Sequence, residues 1–375
     1  MTNLASMSEG LSSQTEKTPE PAPAQPGRIY RGRAHGKVIL IGEHSVVHFK
    51  PAIALPLMTT AIDVAVSANG SSYLDPRFHL TCDYYSGPLE SAPFNLNNLK
   101  KLQAALHNRL CLPQKLGGFD INIVSTIPRE RGMGSSAAVA VALTRAIAAY
   151  SGVILSEQEI FDYSQISENV AHGNASGLDS IATAHDKAVW FERGAQTRTF
   201  DLACPGVLIV ADTGIRGGTR EAVEDVHKLL YSQERGEARQ AAKDIDRLGE
   251  LTADCARALR QGDVRRLGYI MDEAHEVLSS LAVSSPELDR LVAAARRAGA
   301  AGAKLTGGGR GGCMIALVAD PAVVSESSSA DGLAPGESWE DRVKRVKEAL
   351  LAAGAVHTWR LPLNSQVTVE EEILA

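Results

Sequence analysis

The chain has 375 residues, 44% of them hydrophobic and 22% charged, with a formal net charge of -6. That length allows about two domains, and the balance is that of an ordinary globular protein. The acidic excess argues against a general binder of nucleic acid or anionic membrane, but a local Lys and Arg cluster can still hold a small anion.

Residues 1–27 are rich in Ser, Thr, Glu, Gln and Pro and nearly free of large apolar side chains, so a disordered tail is expected there. Lys37–Ile41 and Ala61–Val66 read as strands, and Phe119–Val124 alternates as a half-buried strand should. On the first of these, Lys37, Ile39 and Ile41 share one face. Gly134–Tyr150 is Ala-, Val- and Leu-rich and reads as a helix. Ser156 followed by Glu159 is a capping-box pattern that opens a helix to Val170. Ala188–Glu192 and Val207–Ala211 are strand candidates. Helices are expected at Thr219–Tyr231, Glu237–Gln261, Val264–Leu278, Pro286–Ala298 and Trp339–Ala353, with a strand at Gly312–Val318 and an exposed loop at Ser325–Glu337. Strands and helices mix without strict alternation, which points to α+β. The strand-rich half gives way to a helical half near Phe200–Pro205, where a domain boundary is expected.

Cys82, Cys111, Cys204, Cys255 and Cys313 are widely spaced with no C-x-x-C pair, which disfavours a disulfide framework or zinc site and fits a reducing compartment. No apolar run reaches the length of a membrane span, and no basic patch precedes an apolar core at the N-terminus. The cytoplasm is the expected location.

Four segments carry chemistry. Pro128–Ala138 joins a strand to a helix through Gly132 and Gly134, with Ser135, Ser136 and Ala137 opening the helix. Glycines let a backbone approach a ligand, and unsatisfied helix N–H groups with the positive end of the dipole attract anions. A plain glycine turn with a Ser N-cap gives the same string, and no Walker A motif occurs. His172–Asp179 is a glycine-serine turn that delivers Asp179, either as a helix cap or as a carboxylate able to accept a hydroxyl proton. Glu168 is either a solvated helical residue or a hard oxygen donor for a hard cation. Lys37 either snorkels to solvent or supplies charge beside phosphate, and Glu43-His44 follows a glycine turn. Gly307–Gly312 holds five glycines in six positions with Arg310 among them, as a linker or as a backbone wall near phosphate.

Together and in this order, the segments resemble the GHMP kinases from about Gly32 to Val318. Lys37–Ala54 and His172–Asp179 are most similar to the mevalonate kinase branch, and the Gly-Glu-His-Thr-Asp run of galactokinases is absent. The resemblance implies a two-domain fold: an α/β first domain like ribosomal protein S5 at 28–204, a ferredoxin-like α+β second domain at 205–375, and an active site between them. It implies ATP and mevalonate as substrates, with Mg²⁺. Asp179 matches the catalytic base and Lys37 the lysine near the substrate hydroxyl. Glu168 and Ser136 match the metal ligands. His44, Glu43 and Thr219 match acceptor-binding residues, and Gly132, Met133, Gly134, Ser135, Ser136 and Ala137 the nucleotide loop. Gly307, Gly308, Gly309 and Arg310 match the C-terminal glycine loop. Departures from the family pattern are Glu130 and Met133 for Gly and Leu, Ala175 for Pro, Ser180 for Asn, and Phe49 and Arg310 for Gly. Of these, Glu130 sets negative charge near the phosphates. The rival expectations are a phosphomevalonate or homoserine kinase, a non-catalytic ATP-binding regulator, and a decarboxylase of diphosphomevalonate. A homodimer is the commonest homo-oligomer, and nothing in the sequence selects it.

Overall fold

The computed structural model describes residues 27–320 apart from 174, and 338–364. The expected tail, Gly27 excepted, and the expected loop at Ser325–Glu337 lie outside these residues.

Two sheets organise the chain. The first holds β1 (Ile29–Ile41), β2 (Ala52–Ala68), β3 (Phe78–Cys82), β4 (Tyr85–Pro88), β5 (Phe119–Ser125), β6 (Ala188–Phe191) and β7 (Arg198–Phe200). Its order is β4-β3-β5-β2-β6-β7, with β1 on β2. Only β3 and β5 pair in parallel. The second holds β8 (Ala203–Asp212), β9 (Gly302–Thr306), β10 (Cys313–Ala319) and β11 (His357–Asn364), antiparallel in the order β11-β8-β10-β9. The helices are α1 (Asn97–Leu106), α2 (Ser135–Ser151), α3 (Glu157–His172), α4 (Leu178–Ala184), α5 (Thr219–Leu230), α6 (Arg235–Gln261), α7 (Val264–Ser280), α8 (Pro286–Arg297) and α9 (Trp339–Ala352). The mixed architecture is the α+β class expected.

β1 begins by alternating exposed and buried residues, then is buried on both faces from Ala34 onward. The second half is thus enclosed, and Lys37 lies there. α2 covers β1 and is buried on most of its circumference, as its run of Ala and Val allows. The two approach most closely at Gly32, where an added Cβ would overlap the carbonyl oxygen of Ala142. α3 begins with the expected capping box, Ser156 accepting from the Glu159 N–H while the Glu159 side chain accepts from Ser156.

The packing at Gly32 sets where α2, and so its N-terminus, sits over β1. Gly32→Ala should destabilise the protein by about 1–3 kcal/mol through overpacking. Denaturant unfolding checks this; a wild-type midpoint would show that the β1–α2 contact yields freely.

Candidate active site

β1 brings Lys37 under the start of α2. The Lys37 N–H donates to the Met133 carbonyl at 3.0 Å, and Nζ donates to the Gly132 carbonyl at 2.9 Å. The same Nζ lies 2.9 Å from Asp179 Oδ1. Lys37 therefore does not snorkel: its side chain is 2% exposed, against 38% for Asp179. Asp179 is not a helix cap either. The N-cap of α4 is Gly177, at φ 95, and the first N–H of the helix, that of Leu178, donates to the Ser176 side chain at 3.3 Å. One turn later Thr183 donates to the Asp179 carbonyl at 2.9 Å. Its methyl group also packs at Gly134, where an added Cβ would come within 2.9 Å of it and 3.0 Å of Lys37 Cγ.

α2 starts without a serine cap. Its N-cap is Gly134 in the left-handed conformation, with no side-chain cap hydrogen bond. The Ser N-cap alternative falls, and Ser135, Ser136 and Ala137 form the first turn, whose N–H groups no side chain caps, beside a buried ammonium. Across from them α3 presents Glu168, which is buried, not a solvated helical residue. Burial pushes its carboxyl up, while the Ser136 hydroxyl bonded to it pulls the other way. Its Oε1 is buried with no hydrogen-bond partner.

Glu43 and His44 follow β1. Glu43 is fully buried and forms an ion pair with Lys304 on β9, which also donates to the Leu305 carbonyl at 2.7 Å. Burial pushes Glu43 up and Lys304 down, and each one's charge opposes the shift of the other. His44 Nε2 lies 3.0 Å from the Gly308 carbonyl. A carbonyl only accepts, so Nε2 carries the proton and Nδ1 is a bare acceptor. Burial holds His44 neutral, lowering it from 6.5 to about 4. His44 Nδ1 and Glu43 Oε2 are both buried and unpartnered.

The two glycine loops meet. A Cβ on Gly132 would lie 3.5 Å from Gly307 Cα, and one on Gly308 would overlap Thr219, the first residue of α5. Met133 contributes its carbonyl, its side chain being buried. Gly309 accepts from the Gly218 N–H at 3.3 Å. Two expectations change. Glu130 is 2.9 Å from Arg216, so its negative charge has a partner. Arg310 is held by Asp225 at 2.7 Å and by the Ala282 carbonyl, so its charge is engaged and not left open toward phosphate. No sequence motif singles out Thr183, Arg216 or Asp225, and Lys304 enters only as the start of the C-terminal glycine segment. Lys304 stands next to the glycine run, but nothing local indicates that Glu43, 261 positions away, is its partner.

A helix N-terminus over a buried lysine, with a carboxylate partly open to solvent and two glycine loops alongside, defines a phosphoryl-transfer enzyme without a Walker loop. Residues 97–187 match the GHMP kinases N terminal domain and residues 255–355 the GHMP kinases C terminal family. The mevalonate kinase of Aeropyrum pernix is 36% identical over 313 residues, 80% of this chain and 94% of that protein. That of Pyrococcus furiosus is 32% identical, over 76% and 87%. Among solved structures, the L. major mevalonate kinase in complex with R-mevalonate superposes with a TM-score of 0.67 at 25% identity, over 93% of this chain and 99% of that one. The chain belongs to the mevalonate kinase family of the GHMP kinases. It is an ATP-dependent kinase with an alcohol as acceptor.

Because His44 is neutral when folded and has an ordinary value of 6.5 when unfolded, its contribution to stability is full above pH 6.5. It is lost as pH falls toward about 4. Thermal midpoints of wild type and His44→Gln across this range should converge on acidification; parallel curves would contradict a neutral His44.

Proposed function

We propose that this chain transfers the γ-phosphoryl group of ATP to the primary alcohol of (R)-mevalonate, giving 5-phosphomevalonate and ADP. The observation that carries this reading is Lys37 Nζ, 2.9 Å from both Asp179 Oδ1 and the Gly132 carbonyl. One ammonium links the carboxylate that takes a proton to the loop that holds phosphate.

The acceptor oxygen bonds to the γ-phosphorus as the bond to the β-phosphate oxygen breaks, and its proton passes to Asp179. Transition states of this kind are loose, so the protein mainly positions groups and neutralises charge. Lys37 stabilises the developing alkoxide and the moving phosphoryl group. The N–H groups of Ser135, Ser136 and Ala137 hold phosphate oxygens. His44 Nδ1 and Glu43 Oε2 supply buried acceptors for substrate hydroxyls, and Thr219 lines the same side.

Glu168, with its Oε1 unpartnered and its carboxyl bonded by the Ser136 hydroxyl, would suit a Mg²⁺ ion, which needs few protein oxygens when phosphates and water complete its shell. Glu168 and Ser136 would hold such an ion, and it would supply positive charge to offset that of the phosphates.

We place the division between the two domains at residues 204 and 205, two residues into β8 and just after the chain leaves the first sheet at β7. The cytoplasm remains the proposed location. No helix among the described residues is long and apolar enough to cross a membrane. Of the closed assemblies open to such a chain, a homodimer is the commonest homo-oligomer.

Coupled ADP release with Mg·ATP and mevalonate, phosphomevalonate or homoserine tests the acceptor; turnover of mevalonate alone is expected, and preference for another would replace this reading. Release of CO₂ would move the assignment to a decarboxylase. Asp179→Asn should lower kcat by about 10²–10⁴-fold with the fold intact; near-normal kcat would remove Asp179 as the base. Glu168→Gln should raise the Mg²⁺ concentration needed for half-maximal rate, and an unchanged requirement would contradict its place in the metal site.

A further inference from the structure

Besides His44 at φ 59, the loops of the site hold two more non-glycine residues at positive φ, Glu130 and Arg310, each at φ 58. Glu130 sends its charged end to the turn before α5, and Arg310 sends its own to α5 itself. Glu130 Oε2 lies 2.9 Å from Arg216 Nε, and Arg310 Nη1 lies 2.7 Å from Asp225 Oδ2. Backbone bonds reinforce both links. The Gly217 N–H donates to the Glu130 carbonyl at 2.9 Å, the Gly218 N–H to the Gly309 carbonyl at 3.3 Å and the Gly312 N–H to the Ile215 carbonyl at 2.7 Å. The 213–219 turn is thus gripped by the phosphate loop on one side and by the C-terminal glycine loop on the other. Thr219 starts α5 directly after it and is wedged against Gly308.

We propose that the Glu130–Arg216 and Arg310–Asp225 pairs form an ionic clamp that sets the 213–219 turn, and Thr219 with it, against the phosphate loop before nucleotide binds. Glu130 and Arg310 are then positioning residues, acting through the turn. The proposal rests on the kinase reading of this site. Stability does not account for them, because glycine takes this backbone conformation freely and partly exposed ion pairs add little. Lys228, 2.7 Å from Asp225, shares the second pair, so the first is the cleaner test.

The clamp and simple electrostatics predict opposite signs at Glu130. Removing a negative charge beside the phosphates should tighten ATP binding if charge alone acts. Releasing the turn should weaken it. The variants are Glu130→Gly, Arg310→Gly, Arg216→Glu, and Glu130→Arg combined with Arg216→Glu. Each of the first three should raise KM for Mg·ATP about two- to fivefold, more than it lowers kcat. The glycine variants should keep or raise the thermal midpoint, and the charge swap should recover most of the lost KM. Amide hydrogen exchange at Gly217 and Gly218, read without turnover, should quicken in Glu130→Gly and Arg216→Glu. An unchanged or lower KM in Glu130→Gly, no rescue by the swap, or unchanged exchange overturns the clamp. A wild-type protein that phosphorylates no alcohol overturns the site reading instead, and the exchange measurement still decides the clamp.

Discussion

The site depends on keeping one ammonium out of water. An unpaired buried charge is prohibitively costly, so Lys37 is stable only with its oxygens supplied, and the structure draws them from two distant segments. Gly132 gives a carbonyl and Asp179 a carboxylate. The phosphate loop and α4 are therefore placed by the same requirement, and the third segment, β1, carries the lysine itself.

The molecule holds a second buried lysine, and the contrast between the two separates chemistry from support. Glu43 and Lys304 have side chains 0% exposed, while Lys37 faces a carboxylate that is 38% exposed. A pair sealed on both sides cannot exchange a proton with an incoming hydroxyl through the atoms that bind each other. Breaking such a pair typically costs about 3–5 kcal/mol, which suits a joint between β9 and the end of β1. Glu43 Oε2 is buried with no hydrogen-bond partner. Asp179 is open on one side and bonded to Lys37 on the other, and Lys37 keeps its separate bond to Gly132.

Much of this was legible in the sequence because the informative residues are local. The capping box at Ser156, the Ala-rich α2 and the end of β1 follow from neighbours within a few positions. The start of α2 was legible as a helix start but not as a Gly134 cap, since Ser and Gly both favour that position. β9 escaped because Gly302 and Lys304 break the strand pattern although all five residues are buried. β11 escaped in part because Pro362 lies within it. α1 did carry a readable signal, with Leu99, Leu102 and Leu106 at helical spacing and all buried. Partnerships such as Glu43 with Lys304 have no local signal, since tertiary packing alone creates them.

The departures from the family pattern become intelligible through backbone geometry. Phe49, Glu130 and Arg310 stand where the pattern has glycine, and all three have φ between 58 and 62. A non-glycine residue there costs roughly 1–2 kcal/mol. Exposed ion pairs typically return about 0.2–1 kcal/mol, so Glu130, with side chains 50% and 80% exposed in its pair with Arg216, does not recover that cost. Phe49 is mostly exposed, with the Arg193 guanidinium 5.6 Å from its ring centre. The pattern's glycines are thus explained by conformation alone, and the residues replacing them are not explained by stability. What Glu130 and Arg310 add is a fixed relation between segments that must meet around a phosphate, purchased at positions where the backbone is already turned toward the partner.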